Sequence, residues 1–325
     1  MAYAEIKPHI LVVGDIMLDE YLWCDVERIS PEAPIPIAKL NKTSLVPGGA
    51  ANVANNLVNL ESDVHLVGFC GLDHSAQLLK KALKSHNISD DCLVANTHFQ
   101  TIRKSRILAQ NQQMLRLDQE DSKQKIAPQM FNQATQHIEQ FLPVCKAIVL
   151  SDYGKHMCSE SFCMWLTRKA KERGIPLLVD PKGSHYEKYK GAYIIKPNFK
   201  EFEEAIHQKI DSETQLEEEG YNLIERLNIE YLIITRAKKG MTILSASQER
   251  FDLETEAKEV ADISGAGDTV IASLAWALAN DLSLEEASKL SNYAAGIVVG
   301  KVGTASIQLK DINTHPIFES LSVKK

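Results

Sequence analysis

The chain has 325 residues, 44% of them hydrophobic and 24% charged, and carries a formal net charge of −7. This is the composition of a globular protein with ample core, long enough for one large α/β domain or two smaller ones. The acidic balance argues against a nucleic-acid partner, since no surplus of Lys or Arg is available to displace counterions, but local basic residues can still hold a phosphorylated ligand.

The low aromatic content, 6%, offers no stacking platform for single strands. The apolar run from Ile10 to Val13 is interrupted by Asp15 and Asp19, too soon for a membrane span, and the N-terminus lacks the basic region of a signal peptide. No membrane partner is expected, and the cytoplasm is the default compartment. The six cysteines include no Cys-x-x-Cys pair or zinc-ligand spacing, so they are expected to be reduced packing residues.

In chain order, short Val/Ile-rich runs predict strands at 9–13, 64–69, 147–151, 176–180, 192–196 and 231–235. Amphipathic segments predict helices at 49–60, 75–85 and 160–172. Strands buried on both faces and alternating with helices indicate a mostly parallel central sheet with helices on both faces. Segments at about 20–46 and 97–118 break the pattern, with Pro31, Pro34 and Pro36 excluding a helix in the first. They are expected to form a small antiparallel β-sheet lid within a single domain spanning 1–325, since long structureless loops are uncommon in compact domains.

Asp15, Asp152, Asp180, Asn198, and the pair Thr235 and Arg236 each follow a predicted strand. In an open α/β sheet, ligands bind beyond the carboxyl ends of the strands, so these residues describe a site. The strongest chemical signal is Asp262-Ile263-Ser264-Gly265-Ala266-Gly267-Asp268-Thr269, running into an apolar helix. Small residues at a helix N-terminus let a phosphate approach free backbone N–H groups, where the helix dipole favours its charge. Asp268 is then placed to accept a proton beside a phosphoryl group in transfer. The chain lacks the P-loop sequence and the third glycine of a dinucleotide fingerprint.

The octapeptide resembles the C-terminal signature of the ribokinase-like (PfkB) carbohydrate kinases. Pro47-Gly48-Gly49-Ala50-Ala51-Asn52-Val53-Ala54, with Gly68 and Gly71-Leu72-Asp73, resembles the N-terminal one. Within that family, Gly14 to Asp19, Arg28 to Pro36, Ser151 to Lys155, Asp180 to Gly183 and Lys196 to Phe202 are similar to the kinases of ADP-heptose synthesis. These phosphorylate C1 of D-glycero-β-D-manno-heptose 7-phosphate on the route to lipopolysaccharide core. The His-x-Gly-His motif of the fused nucleotidyltransferase does not occur, so the resemblance is to the stand-alone kinase.

The resemblance implies a ribokinase-like fold and a homodimer formed through the lid. It implies ATP as co-substrate, Mg2+, and in some relatives a monovalent cation. Asp268 becomes the base, and Gly265, Ala266 and Gly267 the anion cradle. Asp15, Asp19, Gly48, Gly49 and Asn52 would hold the sugar, with Asp152 near it. Lys104 and Arg106, which strand alternation puts on one face with Arg103 on the other, would clamp the distal phosphate with Lys155. The family often has a basic residue near Gln110, where this chain departs from it. Asn198 and Glu201 would act on magnesium and the ATP phosphates through water, although their spacing alone is also that of a capping box. Thr235, Arg236 and Gly240 would continue the nucleotide site, and Asn292, Ala295 and Gly296 would flank adenine. The rival readings are a kinase of another sugar and a non-catalytic sugar or nucleotide sensor.

Overall fold

The computed structural model describes residues 7–110, 112–121, 124, 126–257, 263–301 and 305–317. The chain runs β1 (His9–Gly14), β2 (Ile16–Ile29), β3 (Pro36–Gly49), α1 (Ala50–Asn59), β4 (Asp63–Gly71), α2 (His74–Ser85), β5 (Leu93–Asn96), β6 (Arg103–Ala109) and β7 (Gln112–Gln119). It continues through α3 (Pro128–Phe141), β8 (Ala147–Ser151), α4 (Glu160–Glu172), β9 (Leu177–Asp180), β10 (Ile194–Ile195), α5 (Phe199–Ile206), α6 (Glu213–Leu227) and β11 (Tyr231–Thr235). Last come β12 (Met241–Ser245), β13 (Arg250–Leu253), α7 (Ala266–Ala279), α8 (Leu284–Val299) and α9 (Leu309–Ile312).

Nine strands form the main sheet in the order β13-β12-β11-β10-β9-β8-β1-β4-β5. It is parallel from β5 through to β11, and β12 and β13 add an antiparallel edge. Alternate residues of β1 explain the layering. Ile10 and Val12 pack into a cluster with α1, α2, α7 and α8. Leu11 and Val13 pack into a second cluster with α3, α4, α5 and α6. All four are fully buried, as expected for a strand covered on both faces. Each predicted strand is present, but 192–196 pairs as strand only at Ile194–Ile195. Gly191 turns the chain just before it with φ +84°, and Pro197 just after it has no N–H to continue a ladder.

The lid is a second sheet of order β3-β2-β6-β7. It is mixed rather than antiparallel, because β2 pairs β6 in parallel while β2/β3 and β6/β7 are antiparallel. The reason is the connection. Between β3 and β6 the chain returns through the main sheet, and such a long crossover delivers β6 in the same direction as β2. The β2–β3 hairpin is also longer than expected, reaching from Ile16 to Gly49 and so rooting the lid in the core.

Register gives the lid two chemically different faces. Asp19, Lys104 and Asp118 are direct cross-strand neighbours on one face. Leu115 and Leu117, each about half exposed, alternate with Arg116 and Asp118 and so lie on the other. The six cysteines are free thiols. Among the described residues no helix is long and apolar enough to cross a membrane.

Candidate active site

The carboxyl ends of the parallel strands line up. Gly14 is level with Ser151, and Ser151 with Asp180, so Asp15, Asp152 and Asp180 are delivered to one edge of the sheet. A cavity of about 1420 Å³ opens there, with Tyr153, Asp268, Asn292, Ala295 and Gly296 among the residues lining it.

Helix α7 starts on this cavity. Its N-cap is Gly265 at φ +80°, a left-handed conformation that glycine adopts without the steric cost other residues meet. With no side chain to cap the helix, the turn at Gly265, Ala266 and Gly267 faces the cavity, and a helix start of this kind suits an anion. Beside it stand Lys196 and Asp180. A Cβ built on Gly267 would lie 3.5 Å from Lys196 Nζ and 3.8 Å from Asp180 Oδ2. The lysine is 2% exposed and pairs with Asp180 at 3.0 Å.

Asp268 sits in the first turn of α7, 5% exposed. Asn52 Nδ2 donates to its Oδ2 at 2.7 Å, and Tyr153 OH donates to its Oδ1 at 2.8 Å. Burial, then the nearby Asp180 carboxylate, push its pKa up to about 7. The two donors and Lys196 pull the other way. A carboxylate with that pKa is poised to exchange a proton near neutrality. Asn52 Oδ1 is buried without a hydrogen-bond partner among the described residues.

The sugar-side residues form an internal network on the lid side of this contact, outside the cavity lining. Asp15 accepts from three backbone N–H groups, those of Tyr153 at 2.9 Å, Lys155 at 2.8 Å and Met157 at 3.0 Å. Burial and the Asp152 charge nonetheless raise its pKa. Gly48 and Gly49 are tight against protein rather than open to a ligand. A Cβ on Gly48 would meet Asp19 Oδ2 at 2.3 Å, and one on Gly49 would meet the Asp15 carbonyl oxygen at 2.4 Å. Their bareness therefore makes room for Asp19 and for the chain turn into α1.

Of the expected phosphate clamp, Arg106 is engaged by Asp19 at 2.5 Å and stacks over Tyr21, and Lys155 pairs with Glu120 at 2.7 Å. Lys104 has no ion-pair partner among the described residues, and burial lowers its pKa. Arg103 points to the opposite face, as alternation required, and binds Glu20 with Ser105 alongside. Asp152 touches the cavity, but its carboxylate is fully buried and accepts from Gly154, Lys188 and Tyr189. It braces the loop after β8 rather than presenting free oxygens.

Asn198 and Glu201 form a reciprocal capping box at the start of α5, and Lys182 reaches Glu201 at 2.9 Å. Both line the cavity, as do Thr235, Arg236 and Gly240. Arg236 is held by Glu213 and lies over Phe199. Asn292 donates to the Glu254 carbonyl at 2.7 Å. Gly296 lets residues 256–257 approach α8, since a Cβ there would meet Glu256 C at 2.9 Å. Asp262, the first residue of the octapeptide, lies outside the described residues.

Tyr153 and Lys196 were not singled out from sequence. The available signal was positional, because each falls within two residues of the end of a buried strand, the same rule that selects Asp15 and Asp180.

Comparison with known proteins places this geometry. Residues 7–311 match the pfkB family carbohydrate kinases. The chain is 43% identical over 301 residues to the bifunctional protein HldE of Vibrio cholerae, covering 93% of this chain and 62% of that protein. It is 44% identical over 298 residues to the bifunctional protein HldE of Klebsiella pneumoniae, covering 92% and 61%. The chain thus spans about three fifths of the length of these relatives. Among solved structures, phosphofructokinase-2 from Escherichia coli in complex with potassium superposes with a TM-score of 0.76 at 16% identity, covering 98% of this chain and 99% of that one. Arabidopsis thaliana ribokinase complexed with ribose and ATP gives 0.73 at 18%, covering 94% and 98%. At those identities the structures establish the ribokinase-like fold alone. The family match and the relatives carry the conclusion that this chain belongs to the pfkB family of carbohydrate kinases.

Proposed function

We propose that the chain transfers the γ-phosphoryl group of ATP to the C1 hydroxyl of D-glycero-β-D-manno-heptose 7-phosphate, giving the 1,7-bisphosphate and ADP for ADP-heptose synthesis. The observation that carries the kinase chemistry is Asp268, buried, tuned towards neutrality and set in the first turn of a glycine-started helix on a large cavity. The heptose assignment draws on the sequence motifs and on the similarity to HldE over this portion.

In this reading Asp268 takes the proton of the C1 hydroxyl as the sugar oxygen bonds to the γ-phosphorus and the bond to the ADP oxygen breaks. The transition state is loose, so the base orients the hydroxyl and accepts its proton late. Backbone N–H groups of Gly265 to Gly267 hold the transferring group, with Lys196 beside Gly267. Asp15, Asp19 and Asn52 hold the sugar once the lid closes over it. Lys104 supports the distal phosphate contact, being the clamp cation with no ion-pair partner among the described residues.

Asp180 and Glu201 are near enough to act on each other electrostatically, and both line the cavity. Such oxygen donors fit magnesium, which takes few carboxylates and keeps most of its waters. Glu201 would hold it through water with Asn198 alongside, and the ion when bound would neutralise the ATP phosphates. A homodimer through the lid, and a cytoplasmic location, belong to the same reading.

The test is ADP release from the chain with ATP, Mg2+ and K+ against a panel of sugars and sugar phosphates. Turnover with heptose 7-phosphate well above every other acceptor is expected. A better acceptor would leave the kinase but remove the heptose assignment, and binding without turnover would favour a sensor.

A further inference from the structure

We propose that Tyr153 is a positioning residue for Asp268, fixing the orientation of the base and setting the pH at which it works. The inference rests on the reading of Asp268 as base. The starting point is a double attachment. The phenol of Tyr153 donates to Asp268 Oδ1 at 2.8 Å, and the backbone N–H of the same residue donates to Asp15 Oδ2 at 2.9 Å. One residue therefore ties the candidate base to the carboxylate at the end of β1.

Asp268 has one side-chain donor on each oxygen, Asn52 on Oδ2 and Tyr153 on Oδ1. A carboxylate held at both oxygens cannot rotate freely about its Cβ–Cγ bond, so its remaining lone pairs keep a fixed direction. A reacting hydroxyl then meets the base in one geometry, which is where a positioning effect on rate arises.

The phenol is a durable donor. Burial, and then the adjacent Asp268 charge, raise its pKa well above the ordinary value, so it stays protonated through the working range. The charged neighbours facing this pair are Asp180 and Lys196 on the Asp268 side and Asp19 on the Tyr153 side. Asp180 disfavours ionised Asp268, while Lys196 and the two hydrogen bonds favour it. Removing the phenol leaves burial and Asp180 opposed by less.

The experiment is a 13C NMR titration of the Asp268 carboxyl in the full chain without substrate, assigned with Asp268→Asn, for wild type and Tyr153→Phe. The Phe variant is expected to raise the Asp268 midpoint by about one pH unit. The acid limb of kcat/KM for the sugar should move up with it, and kcat on the plateau should fall about tenfold with KM for ATP unchanged. Replacing Tyr153 with 3-fluorotyrosine, a stronger donor, should move the midpoint down, and carries the test alone if the Phe variant does not fold. An Asp268 midpoint that stays put in these proteins overturns the proposal. The base reading fails separately, through Asp268→Asn retaining turnover.

Discussion

Asn52 in α1 and Asp268 in α7, 216 positions apart in the chain, share a 2.7 Å hydrogen bond inside the protein. The bond joins the two family signature segments, and Tyr153 completes the grip from a third element. Asp268 is thereby kept in place although burial disfavours its charge.

That burial has a cost in stability with a definite sign. The folded pKa of Asp268, about 7, lies above the value of 3.8 expected when unfolded. Between those values the folded state binds more proton than the unfolded one, so this group lowers stability as pH rises from about 4 to about 7. Asp268→Asn is therefore expected to abolish turnover by a factor of roughly 100 to 10,000 while melting a few degrees higher than wild type at pH 8. The gain should vanish near pH 4. Asn52 can accommodate the change by turning its unpartnered Oδ1 towards the new amide. Calorimetry at the two pH values, beside the ADP-release assay, checks both halves.

The same group sets the pH profile. Because the base must be ionised, kcat/KM for the sugar, which reports the free enzyme, is expected to rise with pH through about 7 and then level off. A profile already flat from pH 5 upward would show that Asp268 is not the titrating base.

Gly49 has φ +61°, and a Cβ there would fall 2.4 Å from the Asp15 carbonyl oxygen. Gly49→Ala should combine left-handed strain with a backbone clash and lower stability by about 2 kcal/mol or more. Urea denaturation would detect the loss, and an unchanged midpoint would refute the tight turn.

Lys104 is the clamp cation with no ion-pair partner among the described residues, flanked in register by Asp19 and Asp118. Lys104→Gln is expected to raise KM for the sugar phosphate by roughly tenfold or more. KM for ATP, and for the same sugar lacking its distal phosphate, should stay within twofold. Equal effects on the two sugars would move the phosphate contact elsewhere.

The lid face opposite Lys104 presents Leu115 at 51% and Leu117 at 52% exposure. If it is the homodimer contact, Leu115→Glu with Leu117→Glu should give a monomer by light scattering at concentrations where wild type is a dimer, since two buried like charges oppose association. A double variant that sediments like wild type would exclude this face.

Much of the architecture was readable from local pattern. The alternation of buried Val/Ile runs with amphipathic segments located the parallel strands, because a strand covered on both faces must be apolar throughout. The strand-end rule then gathered Asp15, Asp152 and Asp180, and the small residues before Asp268 announced a helix start that an anion could approach. Capping chemistry at Asn198 and Glu201 was equally local and is present as a capping box.

Properties that depend on residues far apart in sequence were decided only by the tertiary structure. The direction of β6 follows from a crossover, not from its own residues. Arg106 looked like a free cation until packing set it against Asp19, and Asp152 looked like a ligand until Lys188 and Tyr189 closed around it. Likewise the elevated pKa of Asp268 belongs to no motif. The sequence supplies the carboxylate, but its proton affinity is set by desolvation and by neighbours from other strands and helices, which only the folded chain brings within a few ångströms.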